Sequence, residues 1–441
     1  MSFERKQLKP VSVRTGLRFS APGSPSQVVD EPKAITATAL LGADYPGMRP
    51  RFLVDVGEHV SEGQTLFVDR KDDAICFAAP ISGRVFSIDY GPRRTLSAIV
   101  VRAQNGRQDE QSEPSHPSTD LIAIDASSRE AVRQTILSRG LWPAFRSRPY
   151  GLVPPSHQNP SAIFVSAMDL APGAVDPDPV IIANEDAFRH GLEVLTKLTS
   201  GQVFVCQSKV STFQTPDTLK IRAASFDGGY QAGLASTHIH RLSPASPDFP
   251  VWSIGYQDVI AIGTLFLTGR YDATRVIALS GEPLAKPRLL TTKLGASLRG
   301  LIEGELKPQA DNQSSTRTLS GSAIAGRQLS YLGRYDSQVS ILSNAKRGWR
   351  PAWTSRLPFF GSNTTAPLIP NMAMDRALPA GVQAVPMMRA LSVGDAQAAK
   401  QLGALDLVEE DVAALNMICT SGADYRVLLR AVLDELAEDA A

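Results

Sequence analysis

Two short segments carry the residue types that a redox or binding site would need. One runs from Leu41 through Tyr45 and Met48 to Arg49; the other holds Trp142, Phe145, Arg146 and Arg148. A flat apolar ligand with two carbonyl acceptors wants an apolar slot with one or two donors, and these segments offer both. The same residues suit anchors at a protein interface. They also suit plain packing, with the rings between domains and the arginines paired to carboxylates. His238 and His240, two apart, would point to one face of a strand. Zinc would need a third ligand from elsewhere, and no Cys or third His lies near, so structural histidines or a groove lining are expected. Gly228-Gly-Tyr-Gln-Ala-Gly233 could present amides to a phosphate. It is not Gly-x-Gly-x-x-Gly and no clear helix follows it, so a lost nucleotide pocket is expected. Lys71 sits in a turn where a covalent swinging arm could be carried. Its context, Asp69-Arg-Lys71-Asp-Asp73, reads instead as a charged turn.

Composition removes several other classes. Among 441 residues, 45 basic and 44 acidic side chains leave a net charge of +1, without the basic excess that nucleic acid requires. Cys76, Cys206 and Cys419 are far apart, with no Cys-x-x-Cys pair. Neither a zinc site nor an iron–sulfur cluster follows from local thiolates, and free reduced thiols are expected. The longest apolar run, 259–267, falls short of the roughly 20 residues a membrane span needs. MSFERKQLKP has no apolar core behind it and does not read as a secretory signal. The expected location is the cytoplasm, against a membrane through a partner.

These residues must be placed by several domains. Phe52, Val54 and Val56 alternate as one strand face. Gly57-Glu-His-Val60-Ser-Glu-Gly63-Gln64 and Pro80-Ile-Ser82-Gly83-Arg-Val85 are the turns of a barrel-sandwich (biotinyl/lipoyl-like) module over 37–104, after an N-terminal segment 1–36. A polar stretch at 105–120 reads as a linker. A capping box at Ser127 with Glu130, an apolar strand at 162–167, a helix from Asn184 and a strand at 203–206 predict a Rossmann-like α/β domain over 121–258. Residues 259–343 read as strands and turns. Segment 344–386, with Trp349, Trp353, Phe359 and Phe360, reads as an irregular arm, and 387–441 as helices over 395–402, 409–417 and 424–436.

The order of several segments resembles the A-subunit family of the Na⁺-translocating NADH:quinone reductase. They include Tyr45-Pro-Gly-Met-Arg-Pro50, Ser138-Arg-Gly-Leu-Trp142-Pro-Ala-Phe145-Arg-Ser-Arg148-Pro149, Ala232-Gly-Leu-Ala-Ser-Thr-His238-Ile-His240, Trp252-Ser-Ile-Gly-Tyr-Gln-Asp258 and Tyr331-Leu-Gly-Arg334-Tyr. The resemblance implies α/β and α+β architecture, with a ubiquitin-like β-grasp (SLBB) domain at 259–343. It implies a peripheral component on the cytoplasmic side of a bacterial inner membrane, in a six-part complex lettered A to F, beside the membrane-embedded B subunit. That complex oxidises NADH, reduces ubiquinone and moves Na⁺ outward. By the same resemblance FAD, FMN, riboflavin and a 2Fe-2S centre belong to other subunits. This chain then holds no tightly bound cofactor, contributes at the quinone end, and is inactive alone. The sequence departs from the pattern before Gly16 and over 344–386, and only Cys419 stands where some relatives carry cysteine runs. Two other readings stay open. A free-standing flavin or NADH oxidoreductase would purify coloured. A biotinyl or lipoyl carrier would show an added mass on Lys71.

Overall fold

The computed structural model describes residues 8–13, 16–20, 22–30, 32–103, 128–308, 316–343, 367–379 and 381–440. The expected linker at 105–120 and the four aromatics of the arm lie outside them. The N-terminal segment supplies two strands, β1 (Val11–Val13) and β2 (Ser26–Asp30), each to a different distant sheet.

Next come β3 (Ala37–Leu41), β4 (Pro50–Phe52), β5 (His59–Val60), β6 (Thr65–Asp69), β7 (Asp72–Ala78), β8 (Gly83–Tyr90) and β9 (Leu96–Arg102). They form a four-stranded sheet, β3-β9-β8-β5, and a three-stranded sheet, β4-β6-β7. Leu66, Phe67, Phe77, Ile81, Val85 and Ile99 are buried in the core they share with the next domain, Phe67 stacked on Phe77 at 4.4 Å. The turn glycines Gly57 and Gly63 adopt φ of 90° and 82°, which only glycine takes freely. The strand expected through Val56 stops at Phe52. Asp55 turns the chain by accepting the Glu58 amide while Glu58 accepts the Asp55 amide, which leaves Val54 buried and Val56 exposed. Lys71 is exposed in the β6–β7 turn, its amide on Asp69 at 3.0 Å.

The α/β domain runs α1 (Arg129–Ser138), β10 (Arg146–Arg148), β11 (Ala162–Ala167), α2 (Pro177–Ala183), α3 (Glu185–Leu198), β12 (Val203–Ser208), β13 (Ile221–Gly228), α4 (Ala235–Leu242), β14 (Val251–Gly255) and α5 (Tyr256–Thr268). With β1 they make a six-stranded sheet, β1-β13-β12-β11-β14-β10, parallel except for β10. Side chains alternate across it: Ile163, Val165, Val203 and Val205 face α1, α3 and α5, while Phe164, Phe204 and Phe226 face α4.

Two expectations need correction here. The N-cap of α1 is Ser128, which accepts the Ala131 amide at 3.2 Å. Glu130 reaches forward to Gln134 instead, and Ser127 lies outside the described residues. Residues from 260 are not strand: α5 runs through them, so a division at 258 falls inside a helix. This helix is buried on nearly every side, so its sequence shows no 3.6-residue period to separate it from a buried strand. It crosses α3 at two glycines. A Cβ on Gly263 would lie 1.7 Å from the Ala187 oxygen, and one on Gly191 2.1 Å from the Val259 oxygen.

Then follow β15 (Thr274–Ser280), β16 (Arg288–Lys293), α6 (Leu298–Ile302), β17 (Thr316–Ser320) and β18 (Gln338–Ser343), in a mixed sheet β17-β18-β15-β16-β2. The chain ends in α7 (Met372–Asp375), α8 (Ala384–Val393), α9 (Ala396–Gln401), α10 (Glu409–Val412), α11 (Leu415–Ile418) and α12 (Tyr425–Asp439). They enclose a second core of Met374, Met387, Leu391, Leu415, Leu429 and Leu433. The described part of the expected arm, from 367, is therefore helical and belongs to this core. The single helix expected over 409–417 is two. The break falls at Ala413 and Ala414; Asn416, inside α11, donates to Asp424 at 2.6 Å and accepts the Tyr425 amide at 2.9 Å.

Candidate functional site

The chain order of the α/β sheet creates a crevice. From β11 it steps to β12 and β13 on one side, then returns to place β14 on the other. Connections leaving the carboxyl ends of β11 and β14 therefore diverge, and open sheets bind ligands at such a switch point. A cavity of about 250 Å³ lies there. Its walls come from Met168 to Ala171 after β11, Ser253 to Asp258 at the β14–α5 junction, and Leu234 and Ala235 at the start of α4. Arg275, 321–338 and Glu410 close it from the other two domains.

Edge strand β10 brings two arginines to this wall, since residues two apart share a strand face. Arg146 Nη1 donates to Glu410 at 2.6 Å, and Arg146 lies 4.9 Å from the Tyr335 ring centroid. Glu409 completes the link, 3.5 Å from Arg146 Nη2 and 2.8 Å from Arg430. Arg148 is 1 % exposed, and its Nε and Nη1 have no hydrogen-bond partner among the described residues. Burial, and then the charge of Arg146, push its guanidinium down to about 10.

Asp258, in the first turn of α5, holds two more arginines. Arg334 meets it with two nitrogens, Nη2 at 2.8 Å and Nη1 at 3.3 Å, and Arg275 bonds the same carboxylate. Burial alone would raise the Asp258 carboxyl, but Arg334 and Arg275 outweigh it and hold it below the ordinary carboxylate range. The neighbouring Arg334 amide donates to Asp44 of the barrel-sandwich at 2.7 Å, so three domains meet within one polar cluster.

Asp411 lies behind Arg148, 1 % exposed, accepting from Ser236 Oγ at 2.6 Å and the Val408 amide at 2.7 Å. Burial pushes its carboxyl from 3.8 to about 6 against the pull of Arg148. A raised folded-state value means that ionisation costs stability. The folded state gains from Asp411 below pH 3.8 and loses that gain as the pH rises to about 6. Asp411→Asn is expected to flatten the stability profile across that window. Urea midpoints measured for both proteins between pH 4 and 7 check it, and parallel curves would refute it.

The sequence-derived candidates are split by the fold. Arg146 and Arg148 reach the cavity; Leu41, Tyr45, Met48 and Arg49 are not among its lining residues. Trp142 and Phe145 are fully buried against Trp252, with ring centroids 5.1 Å from it, and Trp142 Nε1 donates to the Pro154 carbonyl at 2.7 Å. Leu41 and Tyr45 are buried, Tyr45 edge-on to Phe77 at 4.8 Å. Met48 is half-buried and Arg49 exposed.

His238 and His240 lie on helix α4, not on a strand, so their side chains project about 200° apart. His238 is buried on the Ala232 carbonyl at 2.7 Å and its ring is pushed down to about 4, while His240 turns to Asp406 at 3.6 Å. Among the described residues no cluster could hold a metal. A helix does follow the Gly228–Gly233 stretch: α4 begins two residues on, uncapped by any side chain, with Leu234 and Ala235 in the cavity wall. Sequence reasoning missed Asp258, Arg275, Arg334, Asp169, Gln338 and Glu410 as wall residues. The one signal for them was the strand-to-helix junction at Gly255, which marks a strand's carboxyl end.

Three family profiles match in order. Residues 11–104 fit an "NqrA N-terminal barrel-sandwich hybrid domain", 127–271 an "NqrA second alpha/beta domain", and 276–330 an "NQRA C-terminal domain". The chain is 38% identical to the A subunit of the Na(+)-translocating NADH-quinone reductase of Serratia proteamaculans strain 568, over 97% of this chain and 100% of that one. It is equally close to the same subunit of Photorhabdus laumondii, with the same coverage, and 36% identical to that of Vibrio atlanticus. Among solved structures, a NAD⁺-reducing [NiFe]-hydrogenase superposes with a TM-score of 0.36 at 12% identity, over 73% of this chain and 65% of that one, too distant to carry an inference.

Proposed function

The chain belongs to the family of Na⁺-translocating NADH-quinone reductase A subunits, and from that premise we propose that it is the peripheral component of the complex, placed where ubiquinone is reduced. It sits on the cytoplasmic side, against the membrane-embedded B subunit, in an assembly of six. NADH oxidation and the tightly bound flavins and iron–sulfur centre belong to its partners. The observation that carries this reading is the match to named A subunits over 97% of the chain. Two features support it. Among the described residues no helix is long and apolar enough to cross a membrane. The switch-point cavity, at about 250 Å³, is small beside the roughly 300–1,000 Å³ that a drug-sized ligand such as a flavin fills.

Of the candidate contacts, Met48 and Arg49 are the accessible pair and meet the neighbouring subunit or the quinone. Leu41, Tyr45, Trp142 and Phe145 serve as buried packing, and Arg146 fixes the C-terminal helices through Glu409 and Glu410. Met48→Ala with Arg49→Glu is expected to lower ubiquinone reduction in membranes about tenfold. NADH oxidation with an artificial acceptor should continue, and the purified variant should melt like the wild type. Membranes lacking this chain that still reduce ubiquinone at the full rate would overturn the reading. So would a purified yellow chain that oxidises NADH alone.

A further inference from the structure

We propose that the cavity between the carboxyl ends of β11 and β14 is an oxyanion site, taking inorganic phosphate or a small phosphomonoester. Two helices open on it. The N-caps of α4 and α5 are Leu234 and Gly255, and neither offers a side chain to the amides of the first turn. Free amides and the positive end of the helix dipole attract an anion. Many helices start this way; here a buried arginine with unpartnered nitrogens lines the same cavity.

Four arginines and four carboxylates line the cavity, and nearly all of them are committed. Arg146 is bonded to Glu410, and Arg275 and Arg334 to Asp258. Asp336 accepts from Ser320 and Asp169 from the Ala171 amide. Arg148 alone among these arginines has two buried nitrogens with no hydrogen-bond partner among the described residues; the charge of Asp411 acts on it, but the bonds Asp411 accepts come from Ser236 and Val408. Buried donors left without an acceptor are unfavourable until an anion arrives to fill them. A hydrogen bond from the guanidinium to an oxyanion would be charge-assisted.

Gln338 also lines the cavity. Gln338 is buried; its Nε2 donates to Pro172, Ser280 and Ser340, and its Oε1 has no partner among the described residues. An acceptor there suits the hydroxyl that hydrogen phosphate carries and sulfate lacks. The volume of about 250 Å³ admits phosphate with a small ester.

The proposal does not rest on the quinone reading, because its test uses the purified full-length chain without quinone or partner. Equilibrium dialysis with radiolabelled orthophosphate is expected to show one saturable site per chain, with sulfate competing at least tenfold more weakly. Glycerol phosphate and AMP form the second arm. Tighter binding of either identifies an ester as the occupant, and equal or weaker binding identifies free phosphate. Arg148→Met is expected to weaken phosphate at least tenfold. Ala235→Pro removes one amide at the first helical position, where proline is tolerated and where Leu234 already holds an extended ψ of 134°. That variant is expected to bind several-fold more weakly, and it decides the matter if Arg148→Met does not fold. No saturable phosphate in the wild type, or unchanged affinity in a folded variant, would overturn the proposal.

Discussion

Asp258→Ala is expected to destabilise the protein by about 3–5 kcal/mol, the usual cost of removing one partner from a buried ion pair. The effect is large because one carboxylate serves two arginines. Arg275 and Arg334 have side chains only 6% and 5% exposed, so neither can turn to water when Asp258 is lost. Domain stabilities of about 5–15 kcal/mol leave little margin for that. The same network predicts acid sensitivity. Asp258 is held below its ordinary range, so its contribution is complete above about pH 4 and is lost as the pH falls through the lowered value. Urea denaturation at pH 7 and pH 3 measures both effects. A change under about 1 kcal/mol at pH 7 would show that the arginines find other acceptors. The triple replacement Asp258→Leu, Arg275→Met, Arg334→Met should recover much of the loss, because it removes the charges along with the bonds.

Gly263→Ala should cost at least about 2 kcal/mol, although alanine is the better helix former by about 1 kcal/mol. The added methyl would lie 1.7 Å from the Ala187 oxygen and 2.8 Å from the Gly191 nitrogen, both backbone atoms that no rotamer change can move. Helices α3 and α5 must separate, and α5 carries Asp258 in its first turn, so the shift should reach the cavity as well. Thermal melting checks the stability. Phosphate dialysis on the folded fraction checks the reach. An unchanged melting temperature would mean that the two helices do not touch at their backbones.

Much of the fold was legible where local chemistry dictates it. Gly57 and Gly63 announced their turns because a left-handed backbone excludes most other residues there. Phe188, Leu192 and Leu195 announced α3 because one side of that helix faces water. The errors share a cause. Helix α5 is enclosed by protein, so no polar face breaks its apolar run. Thr237, His238, Ile239 and His240 alternate in a way that imitates a strand, yet tertiary packing of His238 against Phe226, with ring centroids 4.2 Å apart, holds them helical. The cavity was illegible for a different reason. Asp258 and Arg334 are far apart in the chain, and nothing near either one signals the other. Arg146 and Arg148 could be picked out as a pair, but not the fact that one finds a carboxylate and the other does not.

The strands β1 and β2 have one further consequence, which concerns synthesis. Val11 pairs with Phe226 and Ser26 with Arg288, so the first strands made must wait for about half the chain or more. At roughly 5–20 residues per second on the ribosome, that wait is about 10–50 s. During it two edges stay bare, and the nascent chain is open to chaperones or to a neighbour's strand. Completion of both sheets is thereby deferred until β13 and β16 have left the exit tunnel.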